Sequence, residues 1–324
     1  MATTHSKQPT FGAWLQQVAH ASANPMAAAS GMGEAIDSDG GFLIPPDFSD
    51  SLALRVYNTG QILSRVTRLP PPAGNRVFVP TVNETSRAAG SRFGAMQVFW
   101  ESEGQTITAS RPKFGLLQLR LSKLTGVVYT TDELLQDAAQ LQSVFERVAS
   151  LELSHELERT IVAGTGAGQP LGLLNSGAKI AVARAGSGAI VAADVRNMAT
   201  RLWGACWPRA VWLVNESAIA SLLALADSNL LSYGPSGLLL CGRPVLVSEV
   251  CAALGSESDI VLTDLGEYLL VDKVNSVLSI HVRFVQGEGA FRVVWRVAGQ
   301  LLWDSALAPM TGGDALSCLV TLAA

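Results

Sequence analysis

Residues 130–175 read TTDELLQDAAQLQSVFERVASLELSHELERTIVAGTGAGQPLGLLN and decide the fold. Thr130 and Glu133 stand at the spacing of a capping box, in which a hydroxyl and a carboxylate satisfy free amides at a helix start. A short helix through Leu135 is therefore predicted to begin here.

A long helix is predicted next, from Leu141 to Ala163, because apolar residues recur at helical intervals. Its roughly 23 residues make a rod of about 35 Å, and Gly164 is a candidate for a left-handed stop. Because the apolar residues lie on one side of the helix, that side is expected to pack against a sheet or a neighbouring subunit. The residues assigned to the buried side are Leu141, Val144, Phe145, Val148, Leu151 and Ile161.

The composition is unusually apolar for a soluble monomer, with 48% hydrophobic and 15% charged residues and a mean hydropathy of +0.29. No run of about 18 apolar residues is present to cross a membrane. The surplus of apolar residues is expected to be buried between subunits. The alternative is that an efficient core within one subunit buries it. The net charge is −4, and basic residues form no cluster, so any DNA partner would be enclosed rather than read.

No motif for catalysis, cofactor binding or metal binding stands out. Gly164, Gly166 and Gly168 follow the end of a predicted helix, whereas the glycines of the dinucleotide-binding fingerprint stand at the start of one. A nucleophile elbow, a zinc-protease motif and a P-loop are all missing from the sequence. The four histidines are scattered, and the four cysteines lack CxxC spacing, which favours buried free thiols. The sequence therefore predicts no catalytic residues, no cofactor and no metal.

A long hairpin is predicted between Arg76 and Leu121, with strands over residues 76–80, 97–100 and 114–122. The last strand alternates, with Leu117, Leu119 and Leu121 to one side. Its tip, around residues 101–110, has little core of its own. Since an isolated two-stranded ribbon is marginal in water, the hairpin is expected to lie on something else.

The remaining chain reads as mixed helices and strands. An amphipathic helix is predicted in the first half of residues 48–65, with Leu52, Val56 and Ile62 inward. Further on, Asp194 is predicted to cap a helix, and a second helix is predicted over residues 218–226. The other predicted strands are residues 210–215, 244–248, 260–263, 279–284 and 291–297.

The turn Gly164-Thr-Gly-Ala-Gly-Gln-Pro-Leu-Gly-Leu-Leu-Asn175, directly after a long helix, resembles the turn after the spine helix of tailed-phage major capsid proteins of the Hong Kong 97-type family. Four further stretches resemble that family in the same order, so the resemblance covers roughly residues 38 to 310. They are GGFLIP (40–45), TASRPKF (108–114), GRPV (242–245) and DLGEYLLVD (264–272).

The resemblance implies an α+β, Hong Kong 97-type capsid fold in four parts. These are an N-terminal arm (1–47), an extended β-hairpin loop (74–121), a peripheral domain (48–73, 122–188 and 278–310) with its spine helix at 141–163, and an axial domain (189–277 and 311–324).

It also implies a structural role without catalysis. The chain would be the major capsid protein of a tailed phage or prophage, forming pentamers and hexamers of an icosahedral shell around double-stranded DNA, with no sequence-specific DNA contact and no membrane. Portal, scaffolding and decoration proteins are further expected partners, the location is the virion, and assembly is expected in the host bacterial cytoplasm. Contacts between subunits are expected from Trp14, Val98, Trp100, Glu101, Glu103, Ile107, Arg111 and Lys113.

Two alternatives remain open. An encapsulin-like nanocompartment shell shares the fold but carries enzymes instead of DNA. An enzyme using a cleft of the axial domain would need a buried polar cluster around Asn215, Asp264 or Asp272 that faces a pocket.

The shell is predicted to lack covalent cross-links. Some members of the resembled family join a lysine near the hairpin tip to an asparagine of a neighbour, which requires a deprotonated amine in a dry pocket. The matching position here falls near Thr106 or Ile107, which have no amine, and Lys113 lies further toward the strand. Shells boiled in detergent should run as one band at the 34.1 kDa chain mass. A ladder of multiples would contradict this.

Overall fold

A computed structural model describes residues 46–324, except residues 83, 89, 101–109, 132–137, 187, 226–228, 235–236 and 284–287. Only the backbone is described for residues 46–52, 128–131, 138–146, 274–283 and 288–292. The chain divides into two compact units. The first contains the chain up to residue 64, residues 122–156 and residues 272–297; the second contains residues 65–121, 157–271 and 298–324. The four-part division inferred from the sequence stays a prediction.

The described residues form four α-helices and thirteen strands. The helices are α1 (Pro46–Thr59), α2 (Ala138–Ala163), α3 (Ala192–Arg201) and α4 (Ile219–Leu223). The strands are β1 (Thr67–Leu69), β2 (Arg76–Thr81), β3 (Gly115–Arg120), β4 (Ser122–Thr131), β5 (Ile180–Val182), β6 (Val211–Val214), β7 (Leu231–Gly234), β8 (Gly237–Leu240), β9 (Arg243–Val247), β10 (Ile260–Thr263), β11 (Tyr268–Arg283), β12 (Glu288–Leu301) and β13 (Leu319–Leu322). None of these helices has the length and apolarity needed to cross a membrane.

The first unit is built on α1 and on the antiparallel pair β4–β12, which runs from Ser122 opposite Val297 to Thr131 opposite Glu288. Val56 and Ile62 are fully buried, as the sequence predicts. The ring of Tyr57 meets Trp295 edge-on, with 6.2 Å between ring centroids. Strands β11 and β12 confirm the predicted pair at 279–284 and 291–297, and both are longer than predicted.

The long helix is confirmed and begins three residues earlier than predicted. Its predicted buried side is wrong at Val148 and Leu151 and right at Ile161. Val148 and Leu151 are 58% and 48% exposed, whereas Leu153, Leu157 and Ile161 are buried. Residues two apart on a helix face opposite directions, so Leu151 and Leu153 cannot share one face. The buried side is the one formed by Leu153, Leu157 and Ile161, which are spaced four residues apart. The side chains of Leu141, Val144 and Phe145 lie outside the described set, as do residues 132–137 of the predicted short helix. Thr130 lies in strand β4 instead of starting a helix.

The turn after α2 is closed by tight backbone packing. Gly164 does not adopt the predicted left-handed conformation; Gly166 and Gly168 do, at φ of 80° and 71°. Gly164 is needed because a Cβ there would collide with the carbonyl oxygens of Thr160 and Pro170. The Asn175 side-chain amide donates to the Gly164 carbonyl at 2.9 Å, which satisfies an acceptor at the helix end.

The second unit is organised by a seven-stranded sheet in the order β5-β13-β10-β6-β9-β8-β7. Every residue of β6, β10 and β13 is buried, and the indole N–H of Trp212 donates to the Leu240 carbonyl at 2.9 Å. These strands confirm the predictions at 210–215, 244–248 and 260–263 to within one or two residues. The predicted helix at 218–226 is shorter in the described residues, ending at Leu223.

Asp194 stabilises the start of α3, but not as the residue before the helix. Val191 occupies that position. The buried Asp194 carboxylate reaches back to accept the N–H groups of Val191 at 3.0 Å and Ala185 at 2.7 Å. An acidic side chain at the third helical position commonly has this role.

A buried ion pair fixes one end of the second unit. The guanidinium of Arg184 donates to Asp259 Oδ2 at 2.7 Å, and the two side chains are 5% and 0% exposed. Arg184 also donates to the carbonyls of Ala189 and Ala323. Three chain segments therefore converge on one charged side chain.

Replacing Arg184 by Met should lower the free energy of unfolding by about 3–5 kcal/mol, because Asp259 would remain buried without its charged partner. Lys179→Met is the matched control, since Lys179 makes an ion pair with Glu257 that is partly exposed to solvent and worth about 0–1 kcal/mol. Urea unfolding of both variants measures the difference. Equal losses would contradict a structural role for the Arg184 pair.

Candidate assembly surface

The hairpin formed by β2 and β3 has an inner face that belongs to the core of its own unit. The strands pair antiparallel from Arg76 opposite Arg120 to Thr81 opposite Gly115. Alternation along a strand sends neighbouring side chains to opposite faces. The inner face comprises Val77, Val79, Leu117 and Leu119, which pack with Leu69, Leu121, Leu269, Val271, Ala298 and Leu302.

The outer face of the same hairpin carries apolar side chains beside the polar Arg76, Gln118 and Arg120, and it is open to solvent in the single chain. Phe78 and Leu116 are 56% and 67% exposed, and Pro80, which lies opposite Leu116, is exposed as well. Phe114 extends this surface. A half-buried antiparallel pair normally carries polar residues on its solvent side. The exposed Phe78, Pro80 and Leu116 therefore indicate a partner over this part of the outer face.

Residues 96–100, in the segment between β2 and β3, carry further exposed apolar side chains. Met96, Val98, Phe99 and Trp100 are all exposed, and Trp100 is fully so. The strand predicted at 97–100 is wrong, because residues 97–100 themselves, which the structure describes, are not in a strand. The backbone N–H of Gln97 donates instead to the Ser110 hydroxyl at 3.1 Å.

The loop between β2 and residue 96 is braced against its own unit through Arg87. Its guanidinium donates to Glu84 Oε1 at 2.7 Å and lies 4.8 Å from the ring centroid of Phe93 and 5.6 Å from that of Trp203. Its backbone N–H donates to the Ala308 carbonyl at 2.9 Å. The apolar surface is therefore held in place before a partner arrives, which lowers the entropic cost of binding.

The predicted contact residues fall partly on this surface. Val98 and Trp100 lie on it, and Arg111 and Lys113 are exposed beside it. Trp14, Glu101, Glu103 and Ile107 lie outside the described residues. The sequence reasoning did not single out Phe78 and Leu116, although both occupy outward positions of alternating strands. All of these contacts between subunits stay predictions.

One cluster in the second unit has side chains of metal-ligand type. Cys206, Asp264 and Glu267 bring one sulfur and two carboxylates within 4.8 Å of one another. Arg209 already pairs with both carboxylates, at 2.7 Å and 2.6 Å. Burial and the neighbouring carboxylates raise the pKa of the Cys206 thiol far above its ordinary value, so the sulfur stays protonated. Because Arg209 already engages both carboxylates, the arrangement fits an ion pair better than a metal site.

The polar residues proposed for an enzymatic cleft each have a structural hydrogen bond. The Asn215 amide donates to the Cys251 carbonyl at 2.7 Å and accepts the N–H of Ser217. Asp264 accepts from Arg209 and from the backbone N–H of Gly266. Asp272 accepts the Trp295 indole N–H at 3.3 Å. These bonds hold strands and turns in position.

Solved structures with a similar fold are capsids and phage chains. The capsid of an empty GTA particle, computed with C5 symmetry, has a TM-score of 0.59 and 17% identity, covering 82% of this chain and 90% of that one. A chain of Microbacterium phage Oxtober96 has a TM-score of 0.54 and 13% identity, and the match covers 94% of this chain and 98% of that one. A chain of the satellite phage P4 procapsid including size determination (Sid) protein has a TM-score of 0.51 and 11% identity. That match covers 85% of this chain and 100% of the other.

The fold predicted from the sequence, an α+β Hong Kong 97-type capsid fold, is confirmed by these similarities. Among curated proteins, no sequence matches the chain. A family model described as the phage capsid family matches residues 40–312. With most of its length inside that match, the chain belongs to the phage capsid family and is a structural major capsid protein.

Proposed function

We propose that copies of this chain form pentamers and hexamers of an icosahedral shell that encloses double-stranded DNA of a tailed phage or prophage. The observation that carries the proposal is a hairpin whose inner face the unit covers itself and whose outer face leaves Phe78, Pro80 and Leu116 uncovered. The fixed outer face, with Phe78, Leu116 and Trp100, is suited to rest on the next subunit. The protein would act through geometry and would not be an enzyme.

Magnitudes indicate why such a shell depends on repetition. Burying one large apolar side chain contributes about 1.5–3 kcal/mol, whereas association costs about 4–15 kcal/mol in lost motion. A few side chains of one hairpin are therefore close to break-even. In a closed shell each subunit makes several such contacts at once, and effective concentration makes the later contacts much cheaper than the first.

The charge of the chain agrees with enclosure rather than recognition of DNA. A net charge of −4 gives no overall attraction to phosphates, so DNA would be held by the closed wall without sequence-specific contacts. The proposal places the protein in the virion, after assembly in the host bacterial cytoplasm. Portal, scaffolding and decoration proteins would be its further partners.

Leu116 and Leu117 are adjacent residues on opposite faces and form a matched pair for the assembly test. Leu116→Gln should change the free energy of unfolding by less than about 0.5 kcal/mol and abolish particles. Leu117 is only 8% exposed, so Leu117→Gln should lower the free energy of unfolding by about 2–5 kcal/mol.

Urea unfolding and sedimentation of both variants provide the measurements. Full assembly of Leu116→Gln would show that the outer face is not a contact. A large loss of stability in Leu116→Gln would show that this face belongs to the fold instead.

Electron microscopy of the purified protein, followed by nuclease treatment and extraction, tests the proposed cargo. Closed shells of five-fold and six-fold units containing nuclease-resistant duplex DNA are expected from phage-infected or induced cells. Shells that contain only enzymes would favour the encapsulin-like alternative. Monodisperse subunits under all conditions would contradict shell formation itself.

A further inference from the structure

One end of the hairpin's outer face carries two arginines that face each other directly. Arg76 of β2 lies opposite Arg120 of β3, and the backbone N–H of Leu121 donates to the Asn75 carbonyl at 3.0 Å. A hydrogen bond at these flanking positions marks a non-hydrogen-bonded pair, in which the two Cα atoms are only about 4.5 Å apart. The two side chains, here called the arginine pair, therefore leave the sheet side by side.

No carboxylate neutralises the arginine pair within the described part of the chain. Both side chains are exposed, and neither takes part in an ion pair or a hydrogen bond with another described residue. Like charges directly opposite each other on a sheet are destabilising. The pair therefore costs the single chain stability, and an anion bound between the two guanidinium groups would remove that cost.

Carboxylates are scarce in the hairpin segment itself. Residues 74–121 contain only three acidic residues: Glu84, Glu101 and Glu103. Glu84 already accepts from Arg87 at 2.7 Å. The other two directly follow Phe99 and Trp100, which are exposed apolar side chains. Residues 99–103, here called the acidic segment, thus combine aromatic rings with two carboxylates.

The acidic segment and the outer face of β3 have matching spacings. Arg120 follows the exposed Leu116 by four residues, and Glu103 follows Phe99 by four. At about 3.3 Å per residue, both intervals are about 13 Å in an extended chain. An extended acidic segment would therefore place an aromatic ring on Leu116 and a carboxylate on Arg120 at the same time. Double-stranded DNA would supply negative phosphates but no apolar partner for Leu116, so this surface favours a protein segment.

The arginine pair and the acidic segment belong to opposite ends of the hairpin. Strand pairing runs from Arg76 and Arg120 to Thr81 and Gly115, and the acidic segment belongs to the connection that follows this second end. Complementary groups at opposite ends of one element meet head to tail when copies are arranged in a ring. A neighbouring copy is therefore the source of carboxylates that this arrangement favours.

We propose that Glu101 and Glu103 of one copy bind the arginine pair of the next copy, with Phe99 against Leu116. The inference rests on the proposed shell and names the segment that covers this part of the outer face. It gives a reason for two like charges at one position, because assembly recovers the stability that they cost the single chain.

Zero-length cross-linking of assembled particles tests the contact. Arg120→Lys keeps the positive charge and supplies an amine, which a carbodiimide joins to a carboxylate only where the two groups touch. Denatured particles of this variant should run as multiples of the chain, and peptide mass spectrometry should find a new amide between residue 120 and Glu101 or Glu103. Wild-type particles give the background from the native lysines. Arg147→Lys is the matched control, because Arg147 is an exposed arginine outside the hairpin and should give no amide to either glutamate.

Charge variants separate this contact from a role in the fold. Arg76→Gln combined with Arg120→Gln should leave the urea midpoint of the unassembled subunit unchanged or raise it, because the repulsion is removed. The same variant should need at least a tenfold higher protein concentration to assemble. Combining Arg76→Glu and Arg120→Glu with Glu101→Arg and Glu103→Arg should restore assembly.

Several results would overturn the inference. Particles without an amide from residue 120 to either glutamate would contradict the contact and leave the proposed shell intact. An amide formed only within one chain, which runs at the monomer mass, would assign the arginine pair to its own hairpin. Normal assembly of the double glutamine variant, with or without loss of its DNA, would show that the pair does not hold copies together. Failure of the wild-type chain to form particles under every condition would contradict the proposed shell and this contact together.

Discussion

Alternation along β2 and β3 puts apolar side chains on both sides of a two-stranded hairpin, and a single chain covers only one side. The inner leucines and valines join the core of the second unit, so the hairpin cannot turn over to hide its outer face. Phe78, Pro80 and Leu116 consequently remain in water until another surface covers them. Part of the apolar surplus in the composition thus has a definite location in the structure.

Ion pairs and hydrogen bonds hold together the second unit, to which the hairpin belongs. Arg87 links the loop after β2 to Glu84, Phe93 and the carbonyl of Ala308. Arg209 holds the turn after β10 by pairing with Asp264 and Glu267, and Arg184 does the same elsewhere by pairing with Asp259. Acidic residues that could suggest catalysis are thus bonded to arginine, backbone or indole groups. These side chains make structural contacts that stiffen the fold, which suits a protein whose role is to hold a shape.

Much of the fold could be predicted from the sequence because its periodic patterns are strong. The helix ending at Ala163, the buried strands β6 and β10 and the alternating leucines of β3 are all clear in the sequence. The inner side of α2 was misassigned because Leu151 and Leu153 both fit a helical stripe, and only tertiary packing chooses between them. The strand at 97–100 was wrong because aromatic and β-branched residues favour a strand without supplying a pairing partner. Gly164 was explained by the wrong mechanism, since close backbone approach cannot be read from one chain's sequence.

The candidate assembly surface was located only in part. A sequence shows that both faces of β2 and β3 carry apolar residues, but it does not show which face the subunit covers itself. Phe78 and Leu116 therefore became visible as exposed residues only once Leu117 and Leu119 were placed in the core.

A density map of the assembled particle, at a resolution that shows side chains, tests the central claim most directly. The account predicts that Phe78, Leu116 and Trp100 lie against a different copy of the chain and lose most of their exposed area there. A closed particle in which these three side chains still face solvent would contradict it.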